Sequence, residues 1–157
     1  MVKLTDSEFE TLVNFVYDKY GINLRKKRIL IEGRMANTLR ERKMESYDQY
    51  LKSLFGDRSG SEIITFLNKI TTNHTFFMRE MEHFRFMTEH VLPNAEKSKT
   101  KRELRIWSAG CSSGQEPYTI SMVLNDYFGR RRDFWNISIL ATDISMDALA
   151  KAEKAVY

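Results

Sequence analysis

Apolar residues at Phe9, Leu12, Val13, Val16 and Tyr20 recur at the three- and four-residue spacing of one helix face, directly after Thr5-Asp6-Ser7-Glu8. That tetrapeptide reads as a capping box: the Thr5 hydroxyl can accept from the Glu8 backbone N–H while the Glu8 carboxylate reaches back. Gly21 follows as a C-terminal cap. The same spacing predicts a second helix over about 26–42. A third starts near Ser46 and carries Tyr50, Leu51 and Leu54, and a fourth carries Ile63, Phe66, Leu67 and Ile70. Residues 56–60, with a glycine at each end, separate the last two. Narrow apolar stripes on short helices must be buried against one another, which predicts a small all-α bundle over residues 1–71.

The pattern changes at Thr72. A short helix is expected over about 82–91, stopped by Pro93, and then a solvated, charged connector over 96–103 with Lys97, Lys99, Lys101 and Arg102. Residues 72–103 therefore read as an interdomain segment with a linker helix. Residues 104–109 form a strand candidate, the Gly110-Cys111-Ser112-Ser113-Gly114 turn follows, and 115–128 is helical. A second strand over 137–142 ends in Asp143, with a further helix from about Met146. Strand, glycine turn and helix in that order predict the first half, residues 104–157, of a Rossmann-like α/β domain. A parallel sheet of two strands cannot cover its faces, so more chain is expected to follow, or a second copy to complete the sheet in a dimer.

Composition narrows the class. With 42% hydrophobic and 29% charged residues, only seven Gly and two Pro, the chain has the balance of a globular, mostly helical protein. The start of the chain is charged where a signal peptide would be apolar, and no stretch is long enough to span a bilayer, so a cytoplasmic protein without membrane insertion is expected. One cysteine, Cys111, excludes an internal disulfide, and three scattered histidines offer no metal-ligand spacing. The net charge of +4 is concentrated early: residues 25–43 hold eight basic side chains against two acidic ones. That segment favours an anionic partner.

Candidate chemistry lies at the carboxyl ends of the two strands, where open α/β sheets bind ligands. Gly110 and Gly114 allow the backbone to approach a ligand closely, although the same turn also serves a plain strand-to-helix connection and is not GxGxxG. Asp143 stands where a carboxylate can accept from two ribose hydroxyls; it, or Ser145, is equally placed to cap the next helix. Glu116 opens the helix after the turn, where it complements the helix dipole or attracts a cationic ligand.

Two runs carry a resemblance to a known family. Thr71-Thr72-Asn73-His74-Thr75-Phe76-Phe77-Met78-Arg79-Glu80 with His83-Phe84 resembles the TTNxTxFFRE…HF signature of CheR-type chemotaxis receptor methyltransferases. Ile106-Trp107-Ser108-Ala109-Gly110-Cys111-Ser112-Ser113-Gly114-Gln115-Glu116-Pro117-Tyr118-Thr119 resembles their adenosylmethionine loop, WSAGCSxGEEPY. Ala141-Thr142-Asp143-Ile144-Ser145, Ala148-Leu149, Ala152, Tyr157 and the Gly21-Ile22-Asn23-Leu24 segment extend it over essentially the whole chain. Met78 before Arg79 and Gln115 in place of a frequent Glu are small departures. The larger one is length, because the family's catalytic domain continues through further strands.

The resemblance implies S-adenosylmethionine as cofactor, with Asn73, Thr75, Arg79, Gly110, Glu116 and Asp143 at its site. Arg79 would position the methionine carboxylate, Glu116 would favour the cationic part, and Asp143 would take the ribose hydroxyls. His74 and Cys111 read as structural. The implied reaction transfers the methyl group to glutamate side chains of methyl-accepting chemotaxis receptors, leaving S-adenosylhomocysteine. Lys27, Arg34 and Arg42 would form a docking face for acidic receptor helices, unless that face is merely solvated. The alternative is a non-catalytic receptor-docking or cofactor-sensing fragment. Nucleic acid is disfavoured by the lack of interleaved aromatic residues in the basic helix, and a nicotinamide enzyme by the lack of GxGxxG.

Overall fold

The computed structural model describes residues 2–98 and 102–157, which divide into two compact units, one ending at Thr71 and the other beginning at Thr72. The first unit holds four helices: α1 (Asp6–Tyr20), α2 (Arg28–Glu41), α3 (Tyr47–Gly56) and α4 (Ser61–Ile70). The capping box at Thr5 is fully formed, and Gly21 closes α1 in the left-handed region at φ 69°. Ser46 caps α3 by accepting from the Gln49 amide. One side of each helix supplies the core, where Leu12, Val13, Val16, Ile31, Met35, Tyr50 and Phe66 are buried. Glu32 is also buried, and its carboxylate accepts from the Leu4 amide at 3.0 Å with Arg28 3.9 Å away, so the charge is not left unpaired.

In the second unit, α5 (Met81–Phe86) runs through a widened turn at Met87–Val91 into α6 (Leu92–Ser98). Pro93 therefore does not stop the helix as the sequence suggests. Leu92 donates to the carbonyl of Met87, five residues back, and this wider turn makes room for a ring that would otherwise strike the carbonyl four residues earlier. The start of the expected solvated connector is also tied down: the Glu96 carboxylate accepts from the Tyr127 hydroxyl at 2.8 Å and pairs with Arg131. Lys99 and Lys101 lie outside the described residues.

Strands β1 (Glu103–Ala109) and β2 (Asn136–Thr142) pair in parallel, with Leu104 opposite Ile137 and Trp107 opposite Leu140. They are linked by α7 (Gln115–Phe128) and a short 3₁₀ segment, Gly129–Phe134, and β2 leads into α8 (Met146–Lys154). This right order of strand, helix and strand is the beginning of a Rossmann-like fold. Leu104, Ile106, Ile137 and Ile139 face one side and pack with Ile120, Leu124 and Phe128 of α7. The opposite face leaves Trp107 67% and Leu140 61% exposed. Among the described residues no helix is long and apolar enough to cross a membrane.

Candidate functional site

The glycine turn is built by its neighbours on the sheet edge. The amides of Gly110 and Cys111 both donate to the Thr142 carbonyl, at 2.8 and 2.9 Å, which folds the turn over the end of β2. Gly110 sits at φ +79° with nothing within 4 Å of where a Cβ would be, so its bare face opens onto free space. Gly114 is needed for a different reason: at φ +98° a Cβ there would lie 2.6 Å from the Tyr157 hydroxyl and 2.9 Å from the Ala152 Cβ. Tyr157 holds this approach by donating to the Ser113 carbonyl at 2.8 Å and stacking edge-on against Phe77. Between the glycines, Ser112 takes φ +50°, an uncommon conformation for a residue with a Cβ.

Asp143 reaches back to this turn. One carboxylate oxygen accepts from the Ser112 amide at 2.7 Å and the other from the Ser145 amide at 2.8 Å. Ser145, fully buried, caps α8 by accepting from Ala148. The capping role falls to Ser145. The Asp143 carboxylate, which offers about four acceptor sites, retains lone pairs beyond the two amides. Asn73 is brought to the same place, its amide donating to Ser145 Oγ at 3.2 Å and its carbonyl accepting from Ser112 Oγ at 3.0 Å.

Glu116, in the first turn of α7, is exposed but fixed by the buried Ser108 hydroxyl, which donates to it at 2.6 Å. Arg79 lies in a turn between two residues in the left-handed region, Met78 at φ 60° and Glu80 at φ 56°. Its guanidinium donates to the His74 carbonyl at 2.5 Å, and Glu80 is 3.9 Å away.

These side chains share one cavity of about 470 Å³, within the roughly 300–1,000 Å³ of small-molecule sites. Asn73, Thr75, Arg79, Gly110, Glu116 and Asp143 all line it. His74, read as structural from sequence, also lines it, together with His83 and an apolar wall of Phe84, Met87 and Ile120. Sequence reasoning missed that wall because helical apolar spacing looks the same whether it faces a core or a ligand. It missed Ser108 and Ser112 because nothing local marks a serine as a positioning group, whereas Ser145 has the capping role that its position suggested. Cys111 beside the cavity is buried; burial first, and then the Asp143 carboxylate, raise its thiol above the ordinary range, so it is a neutral packing group at pH 7.

The proposed docking cations are not equivalent. Lys27 is exposed ahead of α2, but Arg34 donates to the Lys69 carbonyl at 3.0 Å and to the Thr71 carbonyl at 2.5 Å, closing the end of α4. Arg42 bonds Glu62 at 2.6 Å, and that hydrogen bond raises its pKa further above the ordinary arginine value. Two of the three residues already serve the helical unit.

A family model described as the CheR methyltransferase all-alpha domain matches residues 7–71, and one described as the CheR methyltransferase SAM binding domain matches residues 73–157. The chain belongs to the CheR methyltransferase family. S-adenosylmethionine is the cofactor of its second domain. Similar proteins include a chemotaxis protein methyltransferase of Borreliella burgdorferi, 41% identical over 160 residues, covering 99% of this chain and 56% of that protein. A chemotaxis protein methyltransferase of Salmonella typhimurium is 33% identical over 155 residues, covering 98% of this chain and 51% of that protein. This CheR-family chain thus spans about half the length of the relatives it matches. The cavity fits the cofactor chemically: it offers a cation for a carboxylate, carboxylates for hydroxyls and a cationic centre, an apolar wall for a base, and a glycine whose absent Cβ leaves room.

Proposed function

We propose that the chain is the N-terminal portion of an S-adenosylmethionine-dependent methyltransferase that esterifies glutamate side chains of chemotaxis receptors. The observation that supports this best is the convergence of Asn73, Thr75, Arg79, Gly110, Glu116 and Asp143 on a single cavity. When bound, S-adenosylmethionine supplies a sulfonium methyl as electrophile. The residues of this chain bind and orient it. Arg79 pairs with the methionine carboxylate, a planar donor meeting a planar acceptor. Asp143 accepts from the ribose hydroxyls while the amides of Ser112 and Ser145 hold it still. Glu116 faces the cationic end, held by Ser108. Asn73 and Thr75 close the side formed by the segment before α5.

No general base is required, because a glutamate with a reference pKa of about 4.3 is already ionised at neutral pH. Alignment and exclusion of water then carry most of the acceleration. The products are a glutamyl methyl ester and S-adenosylhomocysteine. The basic face formed by α2 and its two ends docks the acidic receptor helices, with Lys27 exposed for contact and Arg34 and Arg42 also holding the helical unit together.

Isothermal titration of S-adenosylhomocysteine into this chain tests the reading. Saturable binding that is strongly weakened, but still measurable, in both Arg79→Ala and Asp143→Ala is expected. Absence of binding to the folded wild-type chain would overturn the cofactor assignments and leave a receptor-docking fragment.

A further inference from the structure

Arg79 stands in a turn that the local sequence does not favour. Met78 and Glu80 on either side of it both occupy the left-handed region, at φ 60° and φ 56°, which carries a cost for residues with a Cβ. Such a conformation persists only when its surroundings hold it. The Arg79 amide donates to the Phe76 carbonyl at 3.3 Å, which closes the turn from within. Two contacts tie the turn to the rest of the unit: the Phe77 ring meets Tyr157 edge-on, and the Met78 amide, next to Arg79, donates to Thr119 Oγ1 at 3.2 Å across 41 residues of sequence.

Thr119 is suited to this role. It lies one turn into α7, it is completely buried, and its hydroxyl proton is already committed to the Gln115 carbonyl at 2.7 Å. The hydroxyl oxygen is therefore left to act as an acceptor, and it takes the Met78 amide, next to Arg79. The same helix turn carries Glu116, so a single rigid element fixes both the acidic and the basic side of the cavity. We propose that Thr119 is a positioning residue for Arg79, acting through the Met78 amide, and that it sets cofactor affinity without touching the cofactor. The inference rests on the reading of the cavity as the cofactor site.

The test uses Thr119→Val, which keeps the shape and removes the acceptor, and Thr119→Ser, which restores it. Two readouts are needed: hydrogen exchange at the Met78 amide, which requires no cofactor, and calorimetric affinity for S-adenosylhomocysteine. Thr119→Val is expected to speed Met78 exchange and weaken binding roughly tenfold, as the loss of one buried hydrogen bond at a strained turn allows. Thr119→Ser is expected to restore both. In the Arg79→Ala background, Thr119→Val should add nothing to the loss, because its effect passes through Arg79. Wild-type affinity in Thr119→Val, or a loss that adds fully to that of Arg79→Ala, would overturn the proposal. Unchanged Met78 exchange would overturn the tether whether or not cofactor binds, whereas absence of binding by the wild-type chain sinks the cofactor reading itself.

Discussion

The Ser108 hydroxyl, on the buried side of β1, donates to the Glu116 carboxylate in the first turn of α7 at 2.6 Å. A strand end and a helix start are thereby joined by a side-chain bond parallel to the backbone turn between them, and the acidic group is held over the cavity. Removing the donor with Ser108→Ala should leave the fold intact and weaken S-adenosylhomocysteine binding by roughly three- to tenfold, the range of an ordinary net hydrogen bond, because the bond orients Glu116 and does not itself touch the ligand. Calorimetric titration measures this. An unchanged affinity would show that the orientation of Glu116 does not matter to the ligand.

The two glycines that bound the turn should respond differently to the same substitution. Gly114→Ala adds a Cβ 2.6 Å from the Tyr157 hydroxyl and 2.9 Å from the Ala152 Cβ at a left-handed φ, so the second unit should lose about 2–4 kcal/mol in denaturant unfolding. Gly110→Ala meets open space and should cost only about 1 kcal/mol of stability. Its methyl group projects toward the cavity that Gly110 lines, so ligand affinity should fall more than stability does.

Alkaline pH should destabilise the helical unit. Burial first, and then Glu32 and Glu8, push the Tyr47 hydroxyl up to about 12 from an ordinary 10.0, and burial raises Tyr50 in the same direction. The folded state therefore keeps these protons at a pH where the unfolded state releases them. This contribution to stability is intact below pH 10.0 and is lost as pH rises through about 12. Neither hydroxyl has a hydrogen-bond partner among the described residues, so Tyr47→Phe and Tyr50→Phe should be at least as stable as wild type at neutral pH. Denaturant midpoints across the alkaline range should fall less steeply in the double variant.

The basic helix should show two kinds of arginine and lysine effect. Arg34→Ala removes donors from the Lys69 and Thr71 carbonyls and should cost about 1–3 kcal/mol of stability in the helical unit. Lys27→Ala, at an exposed position, should leave stability within about 0.5 kcal/mol while weakening association with an acidic receptor helix in a salt-dependent manner. Thermal unfolding and a binding titration at two ionic strengths separate the roles. Equal destabilisation by both variants would contradict the division.

Much of the fold could be read from short-range signals. The capping box at Thr5, the glycine after Tyr20, the cap at Ser46 and the span of α7 each depend on residues a few positions apart, and each is present in the structure. Pro93 misled because a proline's effect depends on whether the preceding turn can widen. That turn is packed against the α7 cluster through Met87 and Leu92. The basic residues of the first unit were legible as a charged segment, yet their partners were not, since Glu62 lies 20 residues from Arg42 and the Thr71 carbonyl 37 residues from Arg34.

By itself, the sequence determined the helices of the first unit, the strand, turn and helix order of the second, and the candidate residues that line the cavity, because spacing, caps and motifs act within a few residues. Only the tertiary structure decided which groups hold those residues in place. The bonds from Ser112 to Asp143, from Ser112 to Asn73 and from Met78 to Thr119 span 31, 39 and 41 residues. Contacts at such separations form only when packing of the apolar faces brings distant backbone segments together, and no local pattern records which amide will find which oxygen.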